Sequence, residues 1–161
     1  MNIHSLTPGV QLALRASVAA ALSLAIAQTL KLEFPIYAFI AAVIVTDLTP
    51  SQSRALGLRR MAATAVGAVC GAALTPYLSN GPWSLGAGIL IAMLACHVVG
   101  ARDGARVAGY ICGIVILDHS HEPWTYAFYR FIETVIGVAV AWMISYVPKL
   151  IRQDENEATK S

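Results

Sequence analysis

The chain has 161 residues, of which 57% are hydrophobic and only 12% are charged, and its mean hydropathy is +0.65. Soluble domains carry about 25% charged residues, so a water-soluble fold of this length could not bury so much apolar side chain. The net charge of +2 is small, and the basic residues flank apolar runs instead of forming one patch, which argues against a nucleic-acid partner. The composition predicts an all-α polytopic protein of the lipid bilayer.

Three apolar segments are predicted in the first half of the chain. A polar lead-in, residues 1–9, precedes a full-length span at Val10–Leu30. The next apolar run, Pro35–Thr46, covers roughly 18 Å of a hydrocarbon core that is roughly 30 Å thick. A polar break from Asp47 to Ser53 and a basic stretch follow, and the third span is predicted at Met61–Leu78.

The second half has the same plan. A full-length span at Trp83–Val99 comes first, and a short apolar run at Val107–Leu117 follows it. A polar break then begins at Asp118, and the sixth span is predicted at Arg130–Val147, after an aromatic entry that is typical of the headgroup level. Residues 149–161 form a polar tail, which we expect in the cytoplasm.

One sequence pattern occurs twice, about 70 residues apart. The segment from Arg60 to Gly67 aligns with the segment from Arg130 to Gly137. A membrane module at residues 10–148 therefore divides into repeat 1, about residues 10–78, and repeat 2, about residues 83–148. Since each repeat holds three spans, the second enters the membrane upside down. The predicted fold is six transmembrane helices in two inverted three-helix repeats, with the second helix of each repeat short.

The two short, interrupted segments occupy corresponding positions in the two repeats. In inverted-repeat transporters, such pairs mark the substrate path, because their unsatisfied backbone groups need protein or a water-filled cavity around them. The alternative is a pair of short helices that their neighbours bury without any ligand.

The distribution of basic residues predicts the orientation. Six spans with both termini in the cytoplasm place only Lys31 and Arg130 outside, as the positive-inside rule requires. The basic residues then on or near the cytoplasmic side are Arg15, Arg54, Arg59, Arg60, Arg102, Arg106, Lys149, Arg152 and Lys160.

Two arginines are the main candidates for substrate binding. Arg60 and Arg130 begin the third and sixth predicted spans, so inverted symmetry is expected to bring one near each membrane face. An arginine close to hydrocarbon tends to face a polar interior, where its guanidinium group can bind a carboxylate through two hydrogen bonds. The alternative for both, and the expectation for Arg15, is snorkelling to the headgroups.

Acidic residues are the candidates for proton coupling. Glu133 follows Arg130 by three residues and shares its helix face, so it is either a protonatable coupling site or half of a local salt bridge. Asp47 and Asp118 end the two short segments, where they are either interfacial caps or gates.

The remaining motifs give weaker evidence of a functional site. Gly109 and Gly113 permit close helix packing and could also let a ligand approach the backbone of a short segment. The sequence from His119 to Glu122 has no fourth ligand, so no metal is expected. The sequence contains no arrangement of a nucleophile with a base and no nucleotide motif, so neither an enzyme nor a cofactor is predicted.

These residues resemble a known family. The run Pro35–Thr46 and the arginine, threonine and glycine pattern after it resemble the membrane module of fusaric acid resistance (FUSC-like) and aromatic acid exporter proteins. Ala63 stands where the first glycine of that pattern is common, and the second copy continues the likeness. The matching residues are Arg54, Arg60, Thr64, Gly67 and Gly71 in the first copy, and Arg130, Thr134 and Gly137 in the second.

The resemblance implies efflux of aromatic or other organic carboxylates across a bacterial inner membrane. Aluminium-activated malate channels of plants are similar to the same module, which implies that a dimer of six-span units can conduct anions. Long exporters carry two modules, so we expect a homodimer or higher homo-oligomer here. The alternative function is a non-transporting scaffold or accessory subunit of a larger complex.

Overall fold

The computed structural model describes residues 3–78, 81–118 and 121–147, and every regular element in these ranges is helical. The predicted all-α class and the number of six helices are therefore confirmed for the described residues. The shortest helix of each half is its second, as predicted. The helices are α1 (Ile3–Thr29), α2 (Ile36–Val45), α3 (Pro50–Leu74), α4 (Pro82–Val98), α5 (Ala105–Asp118) and α6 (Pro123–Ser145).

The two helices that carry the candidate arginines begin well before their predicted spans. α3 starts at Pro50 and α6 starts at Pro123, each with proline in the first turn. Proline suits this position because its φ angle is already helical and the first N–H groups of a helix have no intrahelical partner. Hydropathy marked only the apolar part of each helix. Arg60 consequently lies roughly 15 Å along α3, and Arg130 roughly 10 Å along α6.

The boundaries of three other helices agree more closely with the predictions. α2, α4 and α5 begin and end within a few residues of the predicted apolar runs. α1 starts at Ile3, so the predicted polar lead-in is already helical there. The predicted tail at residues 149–161, including its basic side chains, lies outside the described residues, as does His119.

α1 has its apolar side chains on the outside of the bundle. Large apolar residues that are 40% to 48% exposed recur every fourth residue along one face, and small or polar residues face inwards. A soluble helix has the opposite pattern, whereas a helix in contact with lipid has this one. The outer residues are Val10, Leu14, Val18, Leu22 and Ile26, and the inner ones are Gln11, Arg15, Ala19, Ser23 and Ala27.

Length and composition qualify two of the described helical segments as membrane spans. These are Pro8–Thr29 and Pro123–Ser145, and α2 and α4 are shorter apolar helices. The other helices contain charged side chains or are too short to qualify alone, so six separate spans stay a prediction.

The helices pair in the same way in both halves. α3 packs against α5, and its counterpart α6 packs against α2. α1 contacts α2 and α6, and its counterpart α4 contacts α5 and α3. The third helices, α3 and α6, contact each other at the centre. Exchanging the two halves therefore reproduces the pattern of contacts.

Two glycines fix the closest of these helix crossings. A Cβ atom on Gly67 would lie 2.5 Å from the carbonyl oxygen of Ala108 in α5. A Cβ atom on Gly137 would meet the carbonyl oxygen of Ala38 in α2 and lie 2.8 Å from the Cβ atom of Ala41. Glycine is needed at both positions because the neighbouring backbone occupies the space of a side chain. Each half thus places its third helix on the short helix of the other half, and the inverted orientation of the halves stays a prediction.

Candidate functional site

Arg130 is the most enclosed cation of the described bundle. It is 1% exposed, and its guanidinium carbon lies 3.2 Å from the ring centroid of Tyr37 in α2 and 5.9 Å from that of Tyr110 in α5. Its Nε and Nη1 atoms are buried and have no hydrogen-bond partner. Arg130 therefore has stacking partners and unused donors in the interior.

Arg60 reaches the same ring from α3. It is 4% exposed, its guanidinium carbon lies 5.6 Å from the ring centroid of Tyr110, and its Nε atom has no hydrogen-bond partner. The expectation of one arginine near each membrane face is therefore corrected, because both guanidinium groups meet at one ring. The reason is that both residues lie well inside α3 and α6, which pack together, and not at the ends of these helices.

Arg60 and Arg130 are not in an ion pair with any described residue, although the buried carboxylate of Glu133 lies one helical turn from Arg130. Among the described residues, the one ion pair joins Arg59 to Asp103 at 3.0 Å on the surface, and neither buried arginine takes part in it. A buried charge without a partner is costly, and a stacked aromatic ring returns about 2 kcal/mol when the pair is desolvated. The interior is electropositive and has unused capacity to bind an anion.

Glu133 holds the start of α2 instead of pairing with Arg130. The side chain is completely buried, and its Oε1 atom accepts a hydrogen bond of 2.8 Å from the backbone N–H of Phe34. The positive end of the α2 dipole favours a carboxylate at this place. Its Oε2 atom is buried without a hydrogen-bond partner. The alternative of a salt bridge between Glu133 and Arg130 is not found in the structure.

The corresponding contact in the other half is apolar. The positions that match Glu133 and Phe34 are Ala63 and Gly104, and these two residues also meet: a Cβ atom on Gly104 would lie 2.5 Å from that of Ala63. The repeat therefore keeps the contact between the helices but supplies a carboxylate in one half alone.

The two threonines of the repeat differ in their hydrogen bonds. Thr134 donates to the carbonyl oxygen of Arg130 at 2.9 Å, within its own helix. Thr64 is fully buried, and its hydroxyl group has no hydrogen-bond partner. Because Thr64 follows Arg60 by one helical turn, its hydroxyl lies on the same face of α3 as that guanidinium group.

Gly109 and Gly113 face α4. A Cβ atom on Gly109 would lie 3.2 Å from side-chain atoms of Ile89 and Met93, and one on Gly113 would lie 2.9 Å from Leu85. A ligand could reach these backbones only by displacing α4. The structure therefore supports the packing interpretation of this pair.

Asp47 lies in the loop between α2 and α3, and Asp118 lies at the end of α5. The Asp47 carboxylate accepts a hydrogen bond of 3.2 Å from the backbone N–H of Thr49 within this loop. Asp118 is the last residue of α5 and is exposed. Neither carboxylate is in an ion pair with the buried arginines.

Arg15 is a buried clamp, so the expectation that it snorkels is wrong. It is 3% exposed, and its guanidinium group donates to the carbonyl oxygen of Leu48 at 2.9 Å and to that of Val147 at 2.7 Å. These carbonyls lie just beyond the C-terminal ends of α2 and α6, where a cation is favourable. Nearby, the hydroxyl groups of Ser53 and Ser145 are 2.6 Å apart and link α3 to α6.

The sequence is similar to a protein family and to known proteins. The family described as aromatic acid exporter family member 1 matches residues 11–147. The chain belongs to this family. The resemblance inferred from the sequence is thereby confirmed, and an exporter family is not an enzyme class. Family membership and the apolar helices together indicate a membrane protein with a role in transport.

Curated relatives are longer than this chain. It is 26% identical over 133 residues to a UPF0421 protein of Staphylococcus haemolyticus, a match that covers 79% of the chain and 40% of the relative. It is 27% identical over 112 residues to a UPF0421 protein of Oceanobacillus iheyensis, covering 69% and 32%. The chain thus spans about 40% or less of the length of these relatives. No solved structure matches it.

Proposed function

We propose that this protein exports aromatic or other organic carboxylates across a bacterial inner membrane, as a homo-oligomer with both termini in the cytoplasm. The observation that carries the proposal is the meeting of Arg60 and Arg130 at Tyr110, with buried donors that have no partner. A carboxylate supplies the acceptors and the negative charge that this interior lacks.

The binding step follows from the unused groups. One substrate carboxylate accepts hydrogen bonds from the guanidinium groups of Arg60 and Arg130, and the free hydroxyl of Thr64 adds a further donor. Binding neutralises part of the mutual repulsion of the two cations, so the anion stabilises the interior that it enters. Thr134, whose hydroxyl donates within α6, can still accept a hydrogen bond but is less available as a donor.

A six-span inverted repeat is the architecture that fits this function best. The symmetric pairing of helices and the outward apolar face of α1 support it. In such a fold the path lies where the repeats meet, and α3 and α6, which carry the arginines, meet at the centre of this bundle. The short helices α2 and α5 supply the two rings.

The test of the anion path compares two adjacent arginines. Arg60→Ala in proteoliposomes should lower the flux of labelled benzoate about tenfold or more, because a hydrogen bond to a charged group contributes about 1.5–3 kcal/mol. Arg59→Ala is the control, since Arg59 lies on the surface and pairs with Asp103. Equal flux in the two variants would contradict the proposal. Absence of flux from assembled wild-type protein would favour an accessory subunit instead.

Proton coupling through Glu133 is the second part of the proposal. Glu133 is a completely buried carboxylate that connects the third helix of one half to the short helix of the other. In Glu133→Gln, the amide oxygen can still accept a hydrogen bond from the backbone N–H of Phe34, but the side chain cannot take up a proton. We therefore expect a flux that no longer responds to an imposed pH gradient. Glu122→Gln, in the exposed residue just before α6, should leave the response intact. A full response in Glu133→Gln would exclude this residue as the coupling site.

A further inference from the structure

Tyr110 is the one described aromatic residue whose ring lies near both Arg60 and Arg130. Its ring centroid lies 5.6 Å from the guanidinium carbon of Arg60 and 5.9 Å from that of Arg130. The face of an aromatic ring is electron-rich and attracts cations, so the ring is the nearest substitute for an anion between these two groups. A ligand that contacts both guanidinium groups is therefore brought close to this ring.

Tyr110 is also the accessible member of the group. It is 38% exposed, whereas Arg60 is 4% exposed and Arg130 is 1% exposed. The buried guanidinium groups have unpartnered nitrogens, and the tyrosine beside them is partly exposed. This combination places two cations with unused donors beside one partly exposed aromatic residue.

The other ring of the site is already occupied. The guanidinium carbon of Arg130 lies 3.2 Å from the ring centroid of Tyr37, whose ring is also in edge contact with that of Tyr126 at a centroid distance of 6.4 Å. Within the described part of the chain, no other aromatic ring packs against Tyr110. The guanidinium carbons near Tyr110 lie farther from its ring, at 5.6 and 5.9 Å, so Tyr110 is the ring that a ligand can approach, whereas Tyr37 is in close contact with Arg130.

We propose that Tyr110 is the specificity-determining residue of this anion site, which selects carboxylates that carry an aromatic ring. The carboxylate is bound by Arg60 and Arg130, and the ring of the substrate packs on the ring of Tyr110 in an offset or edge-to-face arrangement. This inference rests on the proposed function and adds the residue that decides between aromatic and saturated acids.

The repeat suggests the substitution that tests this role. Position 40 corresponds to position 110 in the first half, and an isoleucine stands there. Tyr110→Ile therefore removes the ring and introduces a side chain that the matching helix already accommodates. Tyr110→Phe keeps the ring, and Tyr110→Met gives a second ringless variant with a flexible side chain, should the isoleucine prevent assembly. Tyr77→Ile is the control, because Tyr77 is 85% exposed.

The experiment measures the flux of labelled benzoate and of labelled cyclohexanecarboxylate, which has a saturated ring of similar size. Proteoliposomes are assayed at alkaline pH, where both acids are ionised, and flux through protein-free vesicles is subtracted. Wild type should prefer benzoate. Aromatic pairs contribute about 0.5–1.5 kcal/mol beyond their buried area, so the ratio of the two fluxes should fall about 2- to 12-fold in Tyr110→Ile and Tyr110→Met.

The outcomes separate this inference from the function on which it rests. The ratio should keep its wild-type value in Tyr110→Phe and Tyr77→Ile. If wild type carries both acids and the ringless variants keep the same ratio, the role of Tyr110 is refuted and the anion site stands. If assembled wild type carries neither acid, the proposed function fails, and the role of Tyr110 fails with it.

Discussion

Gly67→Ala tests the closest helix crossing of the fold. The added Cβ atom would lie 2.5 Å from the carbonyl oxygen and 2.7 Å from the Cα atom of Ala108. These are backbone atoms of α5, which cannot rotate away, so the two helices must separate. Overpacking of this kind costs about 1–3 kcal/mol, and a backbone obstacle places the cost near the upper end.

Gly86→Ala is a control that separates the steric clash at Gly67 from the effect of alanine on helix stability. Gly86 in α4 has no atom within 4 Å of the position of its missing Cβ atom. There, alanine should stabilise the helix by about 0.8–1.0 kcal/mol, and the same gain offsets part of the clash at Gly67. The two variants should therefore differ by about 3 kcal/mol in stability, which corresponds to roughly 6–12 °C in unfolding midpoint.

The assay heats the detergent-solubilised protein and measures the folded fraction by size-exclusion chromatography. Gly67→Ala should lose the folded peak at a lower temperature than wild type, and Gly86→Ala at an equal or higher one. Gly137→Ala should resemble Gly67→Ala, because it meets the backbone of α2 in the same way. Equal midpoints for Gly67→Ala and Gly86→Ala would refute the close contact of α3 with α5.

Three further substitutions compare the contributions of polar contacts to stability in the same heating assay. Arg15→Met removes two charged hydrogen bonds to backbone carbonyls and should be the most damaging, at about 1.5–3 kcal/mol. Ser145→Ala removes the 2.6 Å contact with Ser53 and should cost about 1 kcal/mol. Asp103→Asn breaks the exposed ion pair with Arg59 and should change stability by less than about 1 kcal/mol. A midpoint for Arg15→Met at or above that of Asp103→Asn would contradict the clamp.

The sequence repeat predicted much of the fold. Arg60, Gly67, Arg130 and Gly137 were aligned from residue types alone, and the matching glycines occupy matching helix crossings in the structure. Glycine is informative in this way because only a missing side chain permits backbone contact. The starts of α3 and α6 were less predictable, because hydropathy detects apolar segments. The first part of α3 contains the basic residues Arg54, Arg59 and Arg60, so hydropathy excludes it from the predicted span.

The sequence predicts the charged residues of the candidate site, but not the residues that contact them. Arg60 and Arg130 were identified because a charge next to hydrocarbon is conspicuous. Tyr37 and Tyr110 were missed, since a tyrosine inside an apolar run is usual in a membrane protein and its spacing gives no sign of a contact between halves. The bonds of Arg15 were missed for the same reason: its acceptors lie 33 and 132 residues away in the chain.

The most direct test of the electropositive path is the flux of a labelled aromatic carboxylate through Arg130→Ala in proteoliposomes. Because the substitution also removes the stacking contact with Tyr37, flux is compared per assembled protein, and it should fall about tenfold or more. Wild-type flux in assembled Arg130→Ala would contradict the claim that the two buried arginines bind the transported anion.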